Sequence, residues 1–186
     1  KVLSTTNMIL NINNNNYNNG FNVNIDEKYK KYLDSILYRL LPEEICSDYN
    51  IHLKVFNYPN IFVYSASTIA IAGEILINTS IFNEITISNE SFLAFVIAHE
   101  ISHNLLNEYS KLKEKEIVDL EVKCNTLAFL LLQRAGYSLN GYHTYVDSQK
   151  KHKHHPIQKN KPTGNYKSMI EKTNNVLLSL KPMKGE

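Results

Sequence analysis

The sequence is short of several things, and each shortage closes off a class of protein. Two cysteines, Cys46 and Cys124, are too few in 186 residues for a disulfide scaffold, although a single bridge between them stays open. No uninterrupted apolar run reaches the roughly 18 residues of a membrane-spanning helix. The richest stretch, Phe92 to Ala98, stops at His99-Glu100. Neither sign of charge dominates: 20 Lys+Arg stand against 18 Asp+Glu, a formal net charge of +2. A dedicated nucleic-acid binder would show a dominant basic footprint, so no nucleic-acid partner is expected. There is no internal repeat and no signal-peptide pattern. The start at Lys1 rather than Met leads to the expectation of a processed or trimmed chain. What is present is ample apolar material, 43% of the residues, in one domain's length of chain, enough to bury a core without covalent help.

Residues 1–25 form an Asn-rich tract, with Asn11, Asn13 to Asn16, Asn18, Asn19, Asn22 and Asn24 among few apolar residues. Such a stretch cannot bury enough surface to offset its ordering entropy, so it reads as a flexible arm before a single domain over 26–186. Asp26 is placed to cap a first helix whose Tyr29, Leu33, Ile36, Leu37, Leu40 and Leu41 recur at helical spacing until Pro42. Ile51 to Phe56 alternates as a half-buried strand does, Ile61 to Tyr64 is a second β-rich run, and Glu74 to Asn78 a third. Ser88 or Asn89 can cap a helix from about Glu90 to Asn107. Another is expected from about Leu112 to Ala135, with Gly136 as its left-handed stop. Shorter helices are expected near 139–148 and 168–180. Helix, small sheet, then helices is an α+β order.

The chemistry concentrates in His99-Glu100-Ile101-Ser102-His103. Residues four apart share a helix face, so both imidazoles can address one ion while Glu100 sits beside it to handle protons. Zinc accepts neutral imidazole nitrogens and keeps a position open for water, whose pKa falls to about 7. Glu100 would take that water's proton and pass it to a leaving amine. The bland alternative is a pair of hydrogen-bonded core histidines beside a solvated Glu. It fits poorly with a motif set directly behind the apolar run Phe92 to Ala98, where charge must be compensated.

A third ligand is required. A His six residues after His103 would mark a metzincin, but that position holds Tyr109, and Leu106 stands where its Gly would be. Cys46, in Ile-Cys-Ser, lacks the context of a deformylase ligand. Glu121 fits best: with Asn125, Ala128 and Leu132 it forms one face at helical spacing, so ligand and core share a side. Asn125, one turn on, is placed to hydrogen-bond a ligand from behind. The alternatives are that Glu121 faces solvent, or that Glu116 ligates one turn earlier.

These residues resemble the gluzincin metallopeptidases that include HtpX, BepA and the CAAX prenyl endopeptidases, over roughly Ile61 to Pro156. Leu93 to His103 is similar to that family's active-site helix. Glu121 to Asn125 followed by Ala135-Gly136-Tyr137 is similar to its third-ligand helix, with Cys124 and Asn125 in place of the family's Ala and Asp. Only a short segment joins His103 to Glu121, so the chain would be a minimal version. Regulatory gluzincins of the ImmA/IrrE type share His103-Asn104-Leu105-Leu106 and Glu121 to Asn125, but fit Ala135-Gly136-Tyr137 poorly.

The resemblance implies a zincin-like fold, a small mixed sheet packed on the helix of His99, Glu100 and His103 and on a second ligand-bearing helix. It implies a zinc endopeptidase with one zinc per chain and a polypeptide substrate. The substrate would lie extended along an edge strand containing Gly73, Ile75 and Ile77. By the same analogy the protein belongs to the cell envelope or periplasm, with membrane association through a removed N-terminal segment. His155-Pro156 is similar to an element near the metal, so His155 could be a fourth ligand or gate in a latent site. That segment, Lys150 to Lys167, is basic and otherwise reads as a solvated loop. His143, His155, Tyr142, Tyr145 and Tyr166 are all open as oxyanion donors. The competing functional classes are a latent or non-proteolytic zinc-binding, chaperone-like domain and a regulatory protease that cleaves one partner.

Overall fold

A computed structural model describes residues 21–22, 27–57, 66–69, 73–78, 89–106, 114–151 and 163–180. Their order is β1 (Phe21–Asn22), α1 (Glu27–Leu40), α2 (Glu43–Asp48), β2 (His52–Asn57), β3 (Ala66–Ile69), β4 (Glu74–Asn78), α3 (Glu90–Leu106), α4 (Glu114–Arg134), α5 (Asn140–Lys151) and α6 (Thr163–Ser179). The result is a mostly helical α+β arrangement around one small sheet. None of the described helices is long and apolar enough to cross a membrane.

Helix α3 is the centre. Phe92 through Ala98 are all buried, as are Glu100, Ile101, Ser102 and His103. A helix that is apolar all round needs cover on every side. Here α1, α4, α5 and strand β3 supply it. Asn89 starts α3, its Oδ1 accepting from the Phe92 backbone N–H at 3.1 Å, which settles the cap in favour of Asn89. Ser102 spends its hydroxyl on the Ala98 carbonyl of its own helix at 2.7 Å and so costs the core little. Against α3 lies α1, whose Tyr29, Leu33, Ile36, Leu37 and Leu40 are buried at the expected spacing.

Helix α4 ends as its sequence predicts. Gly136 has φ 71°, and the Tyr137 N–H reaches the Leu132 carbonyl at 2.9 Å while Gly136 N–H reaches Gln133 at 3.1 Å. This is a Schellman stop, in which glycine takes the left-handed turn without a Cβ clash. Two arginines lash the ends of α1 and α4 together. Arg134 Nη2 donates to the Leu40 carbonyl and Arg39 Nε to the Ala135 carbonyl, each at 2.7 Å. The Arg39 guanidinium also lies over the Tyr137 ring, 4.3 Å from its centre.

The four strands run in the order β1-β2-β4-β3. β1 pairs antiparallel with β2, β2 parallel with β4, and β3 antiparallel with β4. Two expectations change. Phe21 and Asn22, placed in the flexible arm, pair with Asn57 and Phe56. Gly73, Ile75 and Ile77 do not form a substrate edge. Gly73 lies in the turn before β4, and β4 is interior, with Ile75 and Ile77 in register with Leu53 and Val55 on one side and Thr68 and Ala66 on the other. Their side chains are buried in the core. Alternation along a strand reveals which face is buried but carries no information about lateral neighbours. The outer strand beside β4 is β3, and it packs against α3. The expected run Ile61 to Tyr64 lies outside the described residues, as do residues 1–20.

Candidate metal centre

The geometry begins with α3. One turn separates His99 from His103, and their Nε2 atoms lie 3.0 Å apart with the rings at 85°. Helix α4 crosses α3 and brings Glu121 to the same point. Its Oε2 lies 3.3 Å from His99 Nε2 and its Oε1 3.5 Å from His103 Nε2. These three residues could together hold a metal ion, each offering one donor atom. Donors 2.0–2.1 Å from a tetrahedral ion are separated by about 3.3 Å, so the spacing fits a small ion with nitrogen and oxygen ligands. Glu116, the alternative one turn earlier, is exposed, and the donor group contains Glu121 instead.

The backs of both imidazoles are engaged. His99 Nδ1 lies 2.9 Å from Asn125 Oδ1, so Nδ1 carries the proton and Nε2 presents its lone pair to the centre. Asn125 in turn donates from Nδ2 to Thr173 Oγ1 on α6 at 3.2 Å. On the second histidine, Nδ1 faces Cys124 Sγ at 3.1 Å. Spacing on α4 made Asn125 legible as a partner of a ligand. Thr173 and the role of Cys124 were not foreseen. Cys124 carries a weak signal, three residues after Glu121 and hence near the same helix face. Thr173 carries none, because only the packing of α6 on α4 brings it near. Both cysteines are free, so the bridge left open by their number does not form.

Electrostatics follow from this burial. Burial pushes the Glu100 carboxyl up to about 7; His99 pulls it down and Glu121 adds to the push. Burial, then the neighbouring His99, drives His103 down to about 4 against the attraction of Glu121. Burial also opposes charge on His99, but Glu121, Glu100 and Asn125 outweigh it and hold His99 above the ordinary histidine value. The pair of imidazoles is thus split, and one of them is kept neutral, the form that binds a metal. Glu121 keeps 30% of its side-chain surface and His99 12%, so the cluster opens toward solvent on the carboxylate side.

Of the proposed oxyanion donors, Tyr142 is excluded by its place in the core, 1% exposed and edge-on to Phe95 and Phe129. Tyr145 is half-buried with its ring 5.3 Å from that of Phe95, one turn before His99. His143 is exposed. His155 lies outside the described residues, and the side chain of Tyr166 does also. No family model and no curated protein matches the chain.

Proposed function

We propose that this protein is a zinc-dependent endopeptidase of zincin-like fold. One observation carries the reading: the convergence of His99, His103 and Glu121 on one point, with the buried Glu100 next along the same helix. Two histidines and one carboxylate are a donor set suited to catalytic zinc, since three protein ligands leave a tetrahedral ion one position short. When bound, zinc supplies Lewis acidity toward a carbonyl and lowers the pKa of water.

The chain's own residues do the rest. Asn125 and Cys124 hold the two imidazoles by their Nδ1 atoms. Glu100, poised near neutrality, takes a proton from the attacking water on its carboxylate and returns it to the leaving amine. The substrate is an extended polypeptide, and β3 is the strand to which it would add. Among the described strands it ends the sheet next to β4, and it lies against α3, the helix of His99, Glu100 and His103.

The test is Glu100→Gln. Zinc should be retained at the parent's stoichiometry while hydrolysis of an unfolded polypeptide is lost. Undiminished proteolysis by that variant would overturn the mechanism.

A further inference from the structure

Thr173 is fully buried on α6, and its Oγ1 accepts the hydrogen bond that Asn125 donates from Nδ2. That bond occupies the amide nitrogen and leaves the amide oxygen facing His99 Nδ1 at 2.9 Å. A carboxamide oxygen has no proton to give, so the proton between them belongs to His99. His99 Nε2 then keeps a lone pair, 3.3 Å from Glu121 and 3.0 Å from His103 Nε2. A reversed amide would donate to Nδ1, move the ring proton to Nε2 and leave His99 with nothing to offer a metal. Which way Asn125 points therefore decides whether His99 can ligate.

A threonine hydroxyl can accept or donate, so its own proton must be directed elsewhere if it is to fix the amide. The Asn125 amide nitrogen is the donor of the bond between them, so Thr173 Oγ1 presents a lone pair to it and keeps its own proton turned away from Asn125. Beside Thr173 on α6, Lys172 Nζ reaches Asp119 Oδ1 of α4 at 2.6 Å.

We propose that Thr173 is a positioning residue for metal binding: from the last helix, through the Asn125 amide, it sets the tautomer of His99. The proposal rests on reading His99, His103 and Glu121 as a metal site, and it gives α6 a role in that site beyond covering the core. It also predicts that hydroxyl chemistry, not side-chain volume, is what position 173 requires.

The experiment compares the full chain with Thr173→Val, which keeps the shape and removes the hydroxyl, and Thr173→Ser, which restores the hydroxyl. Thr173→Ala serves as a second hydroxyl-free variant should valine impair folding. Two properties are read. In metal-free protein, above the histidine titration range, nitrogen-15 NMR reports which ring nitrogen of His99 is protonated; in competition with a chelator, zinc affinity is measured. The parent and Thr173→Ser should show His99 protonated at Nδ1 and affinities within about twofold of each other. Thr173→Val should show mixed tautomers and a loss of roughly tenfold in zinc affinity, the scale of an outer hydrogen-bond partner. A valine variant with the parent's tautomer and affinity would overturn the proposal, whatever its melting temperature. If the parent itself bound no zinc, the metal reading would fail, and the His99 tautomer alone would still decide the role of Thr173.

Discussion

Cys124 Sγ lies 3.1 Å from His103 Nδ1, so a buried sulfur occupies the place where a metal-binding histidine more often meets an oxygen. The sulfur is fully enclosed and no water can replace it without opening the interface between α3 and α4. Cys124→Ala should therefore remove the sulfur's contact with His103 Nδ1 and weaken zinc binding by roughly tenfold. Cys124→Ser should recover part of that loss, because the hydroxyl accepts but reaches less far. Chelator competition on both variants checks this; an alanine variant with the parent's affinity would show that the sulfur merely fills space.

Glu121 contributes the only carboxylate in the donor group, from a different helix than the histidines. Glu121→Gln keeps the size and removes the charge, and should reduce zinc affinity by more than roughly a hundredfold. The same change at Glu116, which is exposed, should leave affinity within about twofold. Isothermal titration with zinc on the two variants gives the comparison, and equal losses would contradict the assignment of Glu121.

These two residues mark where the sequence could and could not be read. Glu121 was legible because it shares a helix face with Asn125, Ala128 and Leu132, and all three of those are buried. The motif on α3 was legible for a similar reason, since a fully apolar stretch leading into His99-Glu100 has no place but the core. The ends of β4, Glu74 and Asn78, are legible in the sequence, but its place inside the sheet is not, because pairing joins residues far apart in the chain. Thr173 is the extreme case: its role comes from helix packing across 48 positions, with no local pattern to announce it.

Metal-free protein should show two opposed pH dependences. Glu100 is raised from its ordinary 4.5 to about 7, so it favours the fold at low pH and loses that contribution as pH rises from 4.5 to 7. His103 is lowered from 6.5 to about 4, so its contribution is present above 6.5 and lost as pH falls toward 4. The two run in opposite directions and offset one another. Glu100→Gln removes the first, together with the share of His99's raised pKa that Glu100 supplies, and exposes the second. Denaturant melts across this range should show the variant gaining on the parent as pH rises from 4.5 to 7. A constant difference between the two proteins would contradict the burial assigned to Glu100.

Gly141 on α5 sits directly against the backbone of Ser91 at the start of α3. A Cβ there would lie 2.1 Å from the Ser91 carbonyl oxygen and 2.5 Å from its carbon, and backbone cannot swing aside as a side chain can. Gly141→Ala should push α5 off the start of α3 and cost about 1–3 kcal/mol. Thermal melting should fall by several degrees for a chain of this length. An unchanged melting temperature would mean that α5 and α3 do not meet so closely.

Zinc-edge X-ray absorption of the stoichiometrically loaded chain tests most directly whether His99, His103 and Glu121 hold one zinc with a position left open. The expected spectrum has two imidazole nitrogens and two oxygens at about 2.0–2.1 Å, one oxygen from Glu121 and one from solvent. Addition of a hydroxamate should change the solvent oxygen and leave the imidazole scattering intact. A sulfur shell near about 2.3 Å, a third imidazole, or a spectrum unmoved by His99→Ala would contradict it.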